Sequence, residues 1–122
     1  MSGKEILVDT NIILYLLSGN NTIEELLNGK NVYISFITEL ELLGFKDLSP
    51  TEEKGIVSLL KECVVISINN RIKEKYIEIK KKYKLKLPDA IIAATAIVLN
   101  IPLVSADKQF KTVKELTLVT YG

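Results

Sequence analysis

A chain of 122 residues, 48% hydrophobic and 25% charged, is long enough to bury one core without staples and too apolar for a disordered segment. Its single cysteine, Cys63, excludes an intrachain disulfide, and the absence of histidine removes Ser-His and Cys-His pairs and histidine-bound zinc. A formal net charge of +1 says little about partners, so the placement of charge along the chain matters more than its sum.

Taken in order, Ile6-Leu7-Val8 reads as a short strand buried on both faces that stops at Asp9, Thr10 and Asn11. Ligands of open α/β sheets collect at the carboxyl ends of the strands, which makes Asp9 the anchor of any site. The apolar run from Asn11 to Leu17 predicts a buried helix, stopped by Ser18-Gly19-Asn20-Asn21. Thr22 opens a short helix to Leu27 with Glu25 as its capping-box partner, and Val32 to Ser35 is a second strand. Phe36 to Phe45 is helical by its apolar spacing and carries Glu39 and Glu41. Those two lie about 200° apart around the axis, so only one can face a given spot, and both flank the apolar stripe. Gly44, on the side of Glu41, would let backbone approach closely there, a small point in favour of Glu41.

Ser49-Pro50-Thr51-Glu52 opens a helix to about Glu62, with proline and acids in its first turn. Cys63 to Ile68 is a third strand, in which the cysteine reads as a small core filler and not a nucleophile. Asn69 to Lys84 is a long helix with Ile72, Tyr76, Ile79 and Tyr83 on one face. Leu87-Pro88-Asp89-Ala90 starts an alanine-rich helix to about Asn100. Ile101 to Ser105 is a fourth strand ending at Ala106-Asp107, Lys108 to Val113 a short helix, and Leu116 to Thr120 a fifth strand. This alternation predicts a single domain over residues 1–122: a three-layer α/β sandwich, with a mostly parallel sheet of about five strands between helices. No signal-peptide block is present, and no apolar run reaches the roughly 18 residues of a membrane helix, so a soluble, cytoplasmic protein is expected.

Asp9 and Asp107 follow strands, Asp89 sits in a first helical turn, and Glu39 or Glu41 could reach the same sheet edge. Singly, each has an ordinary explanation as a cap, a dipole partner or a turn residue. Together they would repel one another unless a divalent cation intervened, and hard oxygen ligands suit Mg²⁺ or Mn²⁺. Such a site hydrolyses phosphodiesters without histidine. Thr10, Asn11 and Ser105 are placed to support it from behind. Eight of the sixteen basic residues fall between Arg71 and Lys86. Of these, Arg71, Lys80, Lys81, Lys82, Lys84 and Lys86 are candidates for following a phosphate backbone, although a solvated helix face is the commoner reason for such a run.

Val8-Asp9-Thr10-Asn11, Ser35 to Gly44 with Thr38 and Glu41-Leu42, Leu87-Pro88-Asp89-Ala90-Ile91-Ile92-Ala93-Ala94, and Leu103-Val104-Ser105-Ala106-Asp107 with Phe110 together resemble the PIN domain. They are most similar to its small ribonuclease toxins of the VapC type. The resemblance spans nearly the whole chain. It implies that Asp9, Glu41, Asp89 and Asp107 bind Mg²⁺ or Mn²⁺, with Ser105 as an accompanying hydroxyl, and it selects Glu41 over Glu39. It further implies a homodimer and an antitoxin whose C-terminal segment enters the active-site groove. Gln109 departs from the pattern, standing where many members carry a further acid.

The expected function is therefore a metal-dependent endoribonuclease leaving a 5′-phosphate and a 3′-hydroxyl, as the toxin of a toxin-antitoxin pair. The alternatives are a housekeeping RNA-processing nuclease and a non-catalytic RNA- or protein-binding module on the same fold. A phosphoacceptor receiver domain is disfavoured, because Asp9 is followed by Thr10-Asn11 and the third strand ends in Asn69-Asn70.

Overall fold

The computed structural model describes residues 3–121. Strands β1 (Glu5–Val8), β2 (Asn31–Ser35), β3 (Val64–Ile66), β4 (Leu103–Ser105) and β5 (Leu118–Thr120) form one sheet in the order β3-β2-β1-β4-β5. All four pairings are parallel, so every strand points its carboxyl end to the same edge. From β1 the chain steps one way to β2 and β3, then returns past β1 to β4. The crevice between β1 and β4 is thus the topological switch point, where doubly wound sheets place ligands.

The helices are α1 (Thr10–Leu17), α2 (Asn21–Leu27), α3 (Phe36–Leu43), α4 (Pro50–Glu62), α5 (Asn70–Lys82) and α6 (Leu87–Leu99). Successive strand residues point to opposite faces. Ile6, Val8, Ile34 and Val104 pack with α1, α2 and α4, whereas Leu7 and Leu103 pack with α5 and α6. Seven consecutive buried residues, Ala90 to Ala96, make α6 the most enclosed helix, with five of the seven no larger than threonine. The α3 helix belongs to both layers: Leu42 joins the first cluster, while Ile37 packs against the second. That position beside the sheet edge is what allows an α3 side chain to meet residues following β1 and β4.

Short polar side chains start most helices. Asp9, Asn20, Ser35, Ser49 and Asn69 each accept a backbone N–H from the first turn, relieving donors that no carbonyl reaches. The α6 helix has no side-chain cap; it starts instead with Pro88 near its beginning and Asp89 in its first turn.

Several sequence expectations need correction. The cap of α2 is Asn20, whose amide oxygen accepts the Ile23 N–H at 3.0 Å, and not Thr22 with Glu25. Asn20 is also held in place by Tyr121, to whose hydroxyl its Nδ2 donates at 3.0 Å, a contact invisible to local reading. The third strand is only Val64–Ile66, because β3 is an edge strand with one neighbour and Ile68 is exposed beyond it. The fourth begins at Leu103 and the fifth at Leu118, and Lys108–Thr112 is a 3₁₀ turn instead of an α-helix. At Gly44 the close approach is to the carbonyl of Leu40, 2.8 Å from where a Cβ would stand. Its smallness therefore serves the end of its own helix and says nothing about Glu41.

Candidate active site

Register places the site. Val8 pairs with Val104, so the residues that follow, Asp9 and Ser105, emerge side by side at the switch point. Asp9 is 5% exposed. One carboxylate oxygen, Oδ1, accepts the Ile12 N–H at 3.1 Å, and Oδ2 accepts the Ser105 hydroxyl. Ser105 Oγ in turn accepts the Asp107 N–H at 2.9 Å, so one buried hydroxyl ties together the acids that follow β1 and β4. The Asp107 carboxylate accepts the Gln109 N–H at 2.9 Å, which opens the 3₁₀ turn.

Glu41 arrives from α3. Its Oε1 accepts the hydroxyl of Thr10 at 2.6 Å, and Thr38 Oγ1, fully buried, lies 3.1 Å from the same Thr10 oxygen. Asp89 arrives from the first turn of α6, and no hydrogen bond from a described residue reaches its carboxylate. Asp9, Glu41, Asp89 and Asp107 all line one cavity of about 230 Å³, walled by Leu14, Phe45 and Ile92. Asn11 is exposed at its rim.

The electrostatics follow from this crowding. Burial pushes the Asp9 carboxyl above its ordinary range, against hydrogen bonds from Ser105 and Ile12, and the charges of Asp107 and Glu41 push it further. Asp89 is raised by burial first, then by Asp107, Asp9 and Glu41, with only Lys86 pulling the other way. Among the described residues, no lysine or arginine forms an ion pair with any of the four.

The sequence matches the PIN domain over residues 6–116. The chain belongs to the PIN domain family. Among solved structures, a chain of a toxin-antitoxin complex from Klebsiella pneumoniae is 34% identical, with a TM-score of 0.81 over 94% of this chain and 96% of that one. A chain of VapBC-1 from nontypeable Haemophilus influenzae is 26% identical, with a TM-score of 0.79 over 95% and 97% of the two chains. VapBC2 from Rickettsia felis, bound to a DNA fragment from its promoter, shares the fold at 22% identity, with a TM-score of 0.78 over 97% and 99%. No curated protein sequence matches.

On this PIN fold the basic run is divided. Arg71, in the first turn of α5, lies beside the far end of α6 in a hollow with Ile97 and Val98, about 12 Å of helix rise from the level of Asp89. Lys86, next to the start of α6, is the member whose charge reaches Asp89. Lys80 donates to the Leu85 carbonyl at 2.8 Å, and Lys82 sits 4.0 Å from Glu115 and over the Tyr83 ring. Lys81 and Lys84 are exposed.

Sequence reasoning did not assign roles to Thr38, Leu14, Phe45 or Ile92. Thr38 was findable: it lies three residues before Glu41, on the same side of α3, as a small polar residue in an otherwise apolar stripe. The three apolar walls carried no signal, since apolar residues on buried helices are indistinguishable until the helices are packed.

Proposed function

We propose that this PIN domain is a Mg²⁺- or Mn²⁺-dependent endoribonuclease and the toxin of a toxin-antitoxin pair. The observation that carries the reading is the set of four carboxylates around one small cavity, with no cationic side chain paired to any of them. The residues fit a hard divalent ion. Their oxygens are of the right type, and burial, then like charge, raise Asp9 and Asp89, a cost that a bound cation offsets. Among the described residues no three acids close around a single point by themselves. Mg²⁺ needs only one or two carboxylates directly, since it keeps several waters.

Asp9, Glu41, Asp89 and Asp107 would hold the ion. Bound there, it supplies an acidified water for attack on phosphorus and a positive charge beside the phosphoryl oxygens. The chain's own residues orient this chemistry: Ser105 fixes the rotamer of Asp9, Thr10 fixes Glu41, and Leu14, Phe45 and Ile92 keep bulk water from one side of the cavity. The toxin-antitoxin complexes that share this fold support an antitoxin as protein partner, and a homodimer belongs to the same reading. Among the described residues, no helix is long and apolar enough to cross a membrane.

Total RNA incubated with wild type and with Asp9→Asn, in Mn²⁺ and in EDTA, tests the reading when each variant is also melted thermally. Cutting by wild type alone, abolished by EDTA while both variants melt alike, is the expected result. Cutting that survives EDTA or Asp9→Asn rejects the metal site. No cutting by antitoxin-free wild type in either metal rejects the nuclease.

A further inference from the structure

Beside the acid cavity lies a second hollow of about 240 Å³, lined by Tyr15, Ala106, Lys108, Lys111, Thr120 and Tyr121. We propose that it is a subsite for a nucleotide next to the scissile bond, with a base against Tyr15 and Tyr121 and a phosphate between Lys108 and Lys111. The proposal rests on the nuclease reading only for the nature of the chain that enters.

The hollow is lined by chain neighbours of the site's own residues. Ala106 separates Ser105 from Asp107, and Tyr15 is the neighbour in sequence of Leu14, which walls the acid cavity. Its aromatic side is held in shape. The rings of Tyr15 and Tyr121 are 5.6 Å apart and tilted by 47°. The Tyr121 N–H donates to the Ser105 carbonyl at 3.0 Å, and its hydroxyl accepts from Asn20 Nδ2 at 3.0 Å. Tyr15 is still 37% exposed, so it offers surface to a ligand.

The opposite wall is cationic. Lys108 and Lys111 lie three residues apart on the 3₁₀ turn, a spacing that stacks side chains on one side. Both are exposed, and among the described residues neither is in an ion pair. Phe110 between them is 1% exposed and anchors the turn. Two free cations next to an acid cluster that repels phosphate, together with aromatic faces, are the parts from which single-stranded nucleic acid sites are made. The hollow is smaller than the roughly 300 Å³ at which small-molecule pockets begin, which suits one unit of a longer polymer.

The test is binding of a fluorescent single-stranded RNA of mixed sequence in EDTA, where a metal nuclease cannot cut, to wild type, Tyr15→Leu, Tyr121→Leu and Lys108→Ala/Lys111→Ala. Each tyrosine loss should weaken binding about five- to a hundredfold, and the double lysine change should lower the slope of log affinity against log salt by about 1.4. Tyr121→Phe, which keeps the ring, should bind like wild type and guards against a folding artefact. The chain has no tryptophan, so tyrosine fluorescence should be quenched on binding. A duplex of the same sequence, whose bases are hidden, should bind without dependence on the tyrosines. The matching DNA strand decides the source of the base and phosphate: dependence on the tyrosines with RNA, with or without the same dependence for DNA, supports the subsite. Failure of wild type to bind, or equal binding by wild type and both leucine variants, overturns it. Tyrosine-dependent binding by a protein that never cuts RNA keeps the subsite and rejects the nuclease, whereas cutting with unaffected leucine variants does the reverse.

Discussion

The acidic crevice and the basic face of α5 are both dense in charge, yet they are built in opposite ways. In the crevice the side chains are held: Asp9 is buried between two donors, and Glu41 is gripped by Thr10. On α5 most are exposed, and the lysines that have partners find them nearby, as the half-buried Lys75 does at 2.7 Å from Glu78. Like charges gathered in a partly buried cleft cost free energy that an oppositely charged ligand offsets, while like charges on a solvated helix are screened over about 8–10 Å. Density of charge along the sequence is therefore a poor guide to a site. The run from Arg71 to Lys86 is the most charged stretch, whereas the crevice collects its acids from four separate segments.

The sharpest way to break this contrast is to neutralise one group from each region. Asp9→Asn keeps an oxygen to cap α1 but loses the charge. RNA cleavage should fall by more than about a hundredfold, since even groups standing behind a metal ligand are worth about 10- to 100-fold. A loss below tenfold in a cleavage assay would remove Asp9 from the centre of the site. Ser105→Ala should come next. It strips a buried partner from both Asp9 and Asp107, so cleavage should drop about 10- to 100-fold and urea denaturation should show a loss of about 1–3 kcal/mol.

A smaller effect concerns stability. Burial, and then the charges of Asp107, Asp9 and Glu41, raise Asp89 above its ordinary 3.8 in the folded chain. Just above pH 3.8 the folded state thus holds more protons than the unfolded state, and stability falls as pH rises toward the folded pKa, then stays at that lower level. Asp89→Asn escapes this loss. In EDTA it should melt with wild type at low pH, rise above it as pH climbs from 3.8 toward the folded pKa, and keep a constant advantage beyond that, while cleavage is impaired. A lower melting temperature at neutral pH would mean that the helix dipole, and not crowding, governs Asp89. Smallest of all, Arg71→Ala should leave cleavage within about twofold of wild type, because Arg71 sits on α5 beside the end of α6 remote from Asp89. A larger loss in the same assay would restore the basic face as part of the RNA path.

Much of the architecture was written in local pattern. The alternation of apolar runs and helical spacing leads to a parallel sheet with helices on both faces, and Ser49-Pro50-Thr51-Glu52 announces the start of α4, while its capping box emerged only in the structure. Asp9, at the end of an apolar run, could be singled out for the same reason: a carboxylate where a buried strand meets a helix is legible from its neighbours. Boundaries that depend on a partner strand or a distant residue were not, as the shortened β3 and the Asn20 cap held by Tyr121 demonstrate.

What the sequence by itself determined was the set of elements and the chemistry of the residues between them, because periodicity, capping and turn formation act over a few residues. Whether Glu39 or Glu41 faces the crevice was settled by α3 lying across the sheet edge, which brings Glu41 to Thr10, 31 positions away in sequence. The pairing of Asp9 with Ser105 across 96 positions was settled by strand order, since only the adjacency of β1 and β4 makes them neighbours. The separation of Arg71 from Lys86 depended on how α5 lies against α6. Each of these is a long-range contact fixed by packing, which periodicity and capping do not encode; for Glu41 the resemblance to the PIN domain had favoured the same residue.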